Sequence, residues 1–302
     1  MLKLVNLTKC YKDKNAVHDF SFEIERGHIY GIVGPNGAGK TTFFKLLAGL
    51  AKPTSGEIIV SKGESIEKFR EKMSFMIENP YLYESMTAFE NMKIIGGIKG
   101  ELDEGKLKYL LKTVKLDNTG KKKVKHFSLG MKQRLGIACA LASNPEVVVL
   151  DEPMNGVDPE GIVELRELLL TLCKEKNITL LVSSHILGEL YQLSTDFIFI
   201  KNGHVVKRIN KESLENTSTG IIEVETTDIS KTYEYLQSVY GKKKVSIDND
   251  LIRLETGLIE VAELSRKLSE AGFIITKINS LPLNLEQYYM REIVGNENSK
   301  FV

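Results

Sequence analysis

The stretch Gly34-Pro35-Asn36-Gly37-Ala38-Gly39-Lys40-Thr41-Thr42 constrains this chain more than any other, because it meets every fixed position of the phosphate-binding pattern G-x-x-x-x-G-K-[ST]. Its glycines permit a tight loop whose backbone N–H groups point inward at an anion, and a helix starting behind it adds the positive end of its dipole. Lys40 is then placed to reach the β- and γ-phosphates of a nucleotide, and the Thr41 hydroxyl to ligate Mg²⁺. The flanks suit the motif. Ile29-Tyr30-Gly31-Ile32-Val33 reads as a short buried strand, and Phe43, Phe44, Leu46, Leu47 and Leu50 recur at helical spacing. Strand, loop and helix in that order predict an α/β fold with the loop at a strand's carboxyl end.

At 302 residues the chain has room for two domains, or for one large α/β domain with a small appendage. Hydrophobic residues at 42% and charged residues at 27% suit a soluble globular protein. A net charge of +1 speaks against a nucleic-acid binder, so the triplets Lys121-Lys122-Lys123 and Lys242-Lys243-Lys244 read as solvated faces. Cys10, Cys139 and Cys173 are far apart and form no metal-type or C-x-x-C spacing, which fits a reducing cytosol. The first residues lack an apolar stretch of signal-peptide length, and no apolar run approaches the ~18 residues of a membrane span. The chain is expected neither to be secreted nor to cross a membrane by itself.

Residues 2 to 7 and 20 to 24 alternate apolar and polar, which predicts antiparallel strands ahead of the central one. Beyond the loop helix, Pro53-Thr54-Ser55-Gly56 is a turn and Glu57 to Val60 a further strand. Residues 81 to 145 are mainly helical in pattern and predict a helical subdomain inserted before the next sheet strand. That strand is Val147-Val148-Val149-Leu150, a short apolar run ending in Asp151-Glu152. Acidic residues at the carboxyl end of a buried parallel strand sit where open α/β sheets bind ligands. Asp151 is expected to hold Mg²⁺ through water, and Glu152 to orient and polarise the water that attacks the γ-phosphorus. Ile178 to Val182 predicts another strand of the same sheet, leading to Ser183-Ser184-His185 and making His185 a γ-phosphate contact. Asp196 to Ile200, Asn202-Gly203 and His204 to Lys207 read as a hairpin that closes a first domain near residue 210.

In this order the motifs resemble the nucleotide-binding subunits of ABC transporters, over roughly residues 1 to 210. The resemblance implies a P-loop ATPase with an ABC-type antiparallel β subdomain and a helical subdomain, binding ATP and Mg²⁺. It implies that Tyr11 stacks on adenine, a use of its π-face. Phe127-Ser128-Leu129-Gly130-Met131-Lys132-Gln133-Arg134 stands at the family signature, usually written LSGGQ, with Ser128 a good helix N-cap. In the family this helix end faces ATP held by a second copy, so Ser128 and Gly130 would contact the partner's nucleotide in a homodimer. Asp158, in Asn155-Gly156-Val157-Asp158, matches the loop that crosses that dimer, and His185 matches the switch histidine. There are two departures. Leu129 and Met131 replace the usual glycine and glutamine of the signature, and Glu78 replaces the glutamine of the loop that links the Mg²⁺ site to the membrane partner. Glu78, counted with Thr41 and Asp151 around the metal, and the Ser-Leu-Gly-Met signature look like the branch that moves bacitracin and lantibiotics. The expectation is an ATPase at the cytoplasmic face of the membrane, powering a separate permease with no nucleic-acid partner. Two rivals share the cassette: an antibiotic-sensing complex, and a soluble ABC ATPase acting on ribosomes or DNA. The single phosphate loop and the lack of sustained heptads weigh against the second.

Beyond residue 210 the composition turns polar, and 211–220 reads as a linker. The order that follows is strand (Ile221 to Glu225), helix (Ser230 to Tyr240), strand (Lys244 to Asp248), strand (Leu251 to Glu255), helix (Glu260 to Ala271) and strand (Ile274 to Ile278). This β-α-β-β-α-β series predicts a small ferredoxin-like α+β domain over 221–302, with a last helix from Leu285 to Ile293 capped by Asn284. Its carboxylates and lysines lie at surface-type spacing and suggest no chemistry.

Overall fold

The computed structural model describes residues 1–12, 14–98, 103–217, 221–248, 251–255, 260–281 and 285–290. The chain divides into two units, Met1–Asn210 and Lys211–Val302.

In the first unit, β1 (Leu2–Tyr11) and β2 (Lys14–Ile24) form a hairpin that leads to β3 (Ile29–Val33), α1 (Lys40–Ala48) and β4 (Ser55–Val60). The helix α2 (Ile66–Arg70) and strand β5 (Met73–Met76) follow, then α3 (Ala88–Gly97), α4 (Glu104–Thr113) and α5 (Leu129–Ala142) as the expected helical insertion. The chain returns to the sheet in β6 (Val147–Asp151), α6 (Pro159–Lys176), β7 (Thr179–Ser183), α7 (Leu187–Leu193), β8 (Asp196–Lys201) and β9 (His204–Asn210).

Two sheets result. The antiparallel one runs β2-β1-β4, and the larger runs β5-β6-β7-β3-β8-β9, parallel except for its β9 edge. Strands β3, β6 and β7 are buried at every position, which is why they read as unbroken apolar runs rather than alternating ones. Helix α1 buries Phe43, Phe44, Leu46 and Leu47, and Phe43 meets Phe20 and Phe22 of β2 with ring centroids 5.5 and 5.8 Å apart. That aromatic contact fixes the phosphate-loop helix between the two sheets. Helix α5 is buried from Leu135 through Leu141 without a break, so it is a core helix and not a one-sided surface helix.

The second unit opens on α8 (Lys211–Thr217), which replaces most of the expected linker, and Leu214 within it is buried. It continues as β10 (Ile221–Thr226), α9 (Ile229–Tyr240), β11 (Val245–Asp248), β12 (Leu251–Glu255), α10 (Val261–Glu270), β13 (Ile275–Leu281) and α11 (Leu285–Tyr288). The sheet order β11-β12-β10-β13, all antiparallel, is that of a ferredoxin-like unit. Ile222, Val224, Leu236, Val245, Ile252, Leu254, Leu264 and Leu268 make its own core. The expected cap Asn284 and the end of the last expected helix lie outside the described residues. Among the described residues no helix is long and apolar enough to cross a membrane.

Candidate active site

The carboxyl ends of β3, β7, β6 and β5 lie side by side in the sheet. The loop from β3 doubles back on itself, with the Ala38 N–H donating to the Pro35 carbonyl at 3.1 Å, and α1 begins as Phe43 N–H donates to Gly39 at 2.9 Å. Gly39 sits at φ 116, and a Cβ there would stand 2.2 Å from the Ala16 carbonyl oxygen. Only glycine lets the loop press so closely on β2. From the other side, Gly203 of the β8–β9 turn donates its N–H to the Ala38 carbonyl at 3.0 Å. Lys40 is 6% exposed and its Nζ donates to the Gly34 carbonyl at 2.7 Å and to Pro35 at 3.4 Å. Pro35, Asn36, Gly37, Gly39, Lys40, Thr41 and Thr42 line a cavity of about 260 Å³, faced by Asp151 and Glu152 and walled by Lys14 and Ala16.

The acidic residues are tied to this loop by hydroxyls. Asp151, buried at the end of β6, accepts from Thr41 Oγ1 at 2.7 Å on one carboxylate oxygen and from Ser183 Oγ at 2.6 Å on the other. Register makes the second contact, since Asp151 pairs with Ser183 across β6 and β7. Ser183 Oγ also accepts the Glu152 N–H at 2.9 Å, where the backbone turns left-handed with φ 52. The Glu152 carboxylate in turn accepts the His185 backbone N–H at 3.1 Å and lies 2.8 Å from His185 Nδ1. Thr41, Asp151, Ser183, Glu152 and His185 therefore form one continuous hydrogen-bonded chain. Thr41 and Asp151 offer the hard oxygen donors Mg²⁺ takes, beside a glycine cradle shaped for phosphate, so the residues fit both groups.

Glu78 is not part of that chain. It follows β5 with φ 63, and its carboxylate accepts from Lys45 Nζ at 2.7 Å. The bond to Glu78 holds the Lys45 pKa above the usual lysine value. Among the described residues no three His, Cys, Asp or Glu side chains gather as a metal set, and Glu78 does not line the phosphate-loop cavity that Asp151 and Glu152 face. Tyr11 ends β1 half-exposed, outside the walls of the phosphate-loop cavity, with Lys9 Nζ 4.9 Å from its ring centroid.

The remaining candidates form a second patch. Ser128 caps α5, its Oγ accepting the Met131 N–H at 3.2 Å. Gly130 lies against the next loop, where a Cβ would stand 2.9 Å from the Gly156 carbonyl oxygen. The departure at Leu129 belongs to this contact. A Cβ on Gly156, at φ 73, would stand 2.5 Å from Leu129 Cδ2, so the leucine covers that glycine. Asp158 is the exposed N-cap residue of α6. None of Ser128, Gly130 and Asp158 lines the phosphate-loop cavity of the same chain. Lys14, Ala16, Lys45 and Ser183 were not singled out by sequence. Ser183 carried a signal, a hydroxyl at the end of a buried strand; the other three emerge only from packing.

The family model for ABC transporters matches residues 17–155. The bacitracin transport ATP-binding protein BcrA of Bacillus licheniformis is 37% identical over 300 residues, 98% of each chain. The lantibiotic transport ATP-binding protein SrtF of Streptococcus pyogenes is 43% identical over 217 residues, 72% of this chain and 93% of its own. Among solved structures, the dimeric ATP-binding cassette MJ0796 in a post-hydrolysis state with ADP and Pi superposes with a TM-score of 0.64 at 28% identity, covering 70% of this chain and 99% of that one.

Proposed function

The chain belongs to the ATP-binding proteins of ABC transporters, and from that premise we propose that it hydrolyses ATP to drive a separate membrane permease exporting a peptide antibiotic. Similarity to BcrA and SrtF supports the cargo class. The observation that carries the enzymatic reading is the unbroken contact chain from Thr41 through Asp151, Ser183 and Glu152 to His185.

In this reading the loop N–H groups and Lys40 bind the phosphates, while Thr41 and Asp151 hold Mg²⁺. Bound Mg²⁺ supplies positive charge against the phosphoryl oxygens as charge develops there. Glu152 accepts a hydrogen bond from the attacking water and orients it for in-line attack. His185, already paired with Glu152, keeps that carboxylate aimed and reaches the γ-phosphate. Ser128 and Gly130 of a second copy close over the nucleotide, with Asp158 at the seam. Tyr11 stands by for adenine. The site belongs at the cytoplasmic face of the membrane, where an apolar cavity of about 620 Å³ between β5 and α5 gives the permease a seat. Tyr81 on its rim is 93% exposed.

The test is Glu152→Gln. The neutral amide lacks the carboxylate charge that polarises the water and cannot accept its proton, so hydrolysis is expected to fall by roughly 10²–10³-fold while ATP binding persists. The same variant, pulled from detergent-solubilised host membranes with Mg-ATP, should bring down a polytopic membrane protein. Unchanged turnover removes Glu152 from the mechanism, and ribosomal or DNA-repair proteins without a membrane partner would overturn the transport reading.

A further inference from the structure

Strands β5 and β6 are parallel, and Met76 opposite Leu150 is their last pair, so Glu78, two residues beyond β5, and Asp151-Glu152, at the end of β6, leave the sheet at the same end. Carboxylates at 78, 151 and 152 thus reach the same end of two neighbouring strands, where a triphosphate would add its own negative charge. Two lysines on α1 stand against them. Lys40 is turned to the loop carbonyls; Lys45 lies four residues beyond Thr41, on the same helix face, and meets Glu78 at 2.7 Å. Lys45 also lies within electrostatic reach of Asp151. Glu78 holds a left-handed backbone that glutamate seldom adopts, and Asn79-Pro80 behind it restricts the exit from the turn. The Lys45 and Glu78 side chains are partly exposed, at 37% and 60%, so the pair adds little to stability. Its effect is on the charge the site presents.

We infer that Lys45 is the resident counter-ion of Glu78, so that the two form a neutral unit at the end of the sheet where a triphosphate would bind. The inference rests on the reading of this site as an ATP site. Lys45 is a positioning residue here: it bonds to Glu78 and does not line the phosphate-loop cavity.

Calorimetric titration of the full chain with ATP, once in EDTA and once with Mg²⁺, tests it. At low salt, Lys45→Met (with Lys45→Gln as a second form) should weaken ATP binding in EDTA about three- to tenfold, and Glu78→Gln should tighten it by a similar factor. The double variant should return to within about twofold of the parent, and about 0.5 M salt should draw all of them together. A double variant as weak as the single lysine variant makes Lys45 a direct nucleotide contact and overturns the inference. So does a lysine variant that binds like the parent, or a Glu78→Gln variant weakened only when Mg²⁺ is present, which would make Glu78 a metal ligand. A parent chain that binds no ATP in either buffer overturns the ATPase reading itself, and this inference with it.

Discussion

Ser183 shows how one buried hydroxyl organises the acidic side of the site. It donates to Asp151 and accepts from the Glu152 backbone at once, and it is fully buried. Replacing it by alanine leaves a carboxylate oxygen and an N–H without partners in a place water does not reach, at a cost of about 1–3 kcal/mol. The Glu152 backbone, already in a left-handed conformation, also loses the bond that fixes it. Ser183→Ala is therefore expected to lower the urea midpoint and to slow hydrolysis, with ATP binding nearly kept because the phosphate loop is untouched. Denaturation curves and turnover on the same preparation check this. Sequence placed Ser183 at a strand end and no further. Its role depends on the β6–β7 register, which pairs it with Asp151, and a register between strands some thirty residues apart is written nowhere in either strand alone. The same holds for Lys45, which any sequence reading would leave as a solvent-facing lysine on a helix.

At the scale of elements, what was legible had a period. The buried strands β3, β6 and β7, the loop helix α1 and the alternation of the second unit all announced themselves. Residues 8–11 and 14–19 did not, since their pairing in the β1–β2 hairpin, with Tyr11 opposite Lys14, follows no clean alternation. Helix α8 was hidden for a different reason: a polar stretch reads as a linker, and burial of Leu214 alone gives no period. Helix α5 holds a further feature out of reach of pattern. Lys106 of α4 donates to the Leu141 and Ala142 carbonyls at 3.0 Å each, closing the far end of the helix whose near end is the signature. Burial first, and the Lys176 charge second, push Lys106 down to about 8. The unfolded chain keeps it near 10.5, so at neutral pH both states are charged and the burial cost is present in full. As pH rises from about 8 toward 10.5 the folded state sheds its proton first and that cost is relieved. The parent's urea midpoint should climb relative to that of Lys106→Met over this window, with the gap between them constant below it.

At the scale of the molecule, the separation of the two patches decides how the protein must work. Lys40, Thr41, Asp151 and Glu152 surround one cavity, while Ser128, Gly130 and Asp158 form another surface that does not line it. If the second patch serves the first, it serves it in a different copy, and the dimeric form of the similar cassette supports that arrangement. The consequence can be tested by mixing two dead proteins. Lys40→Ala removes the phosphate contact and Ser128→Arg blocks the signature, so each alone is expected to hydrolyse less than about 1% of the parent rate. In a mixed dimer one composite site carries both lesions, but the other joins an intact phosphate loop to an intact signature. Co-purified mixtures should therefore recover a sizeable fraction of parental activity at a rate that follows the mixed-dimer concentration. A chain that completes its site within itself would give no recovery at any ratio, since every copy would carry a lesion in its only site.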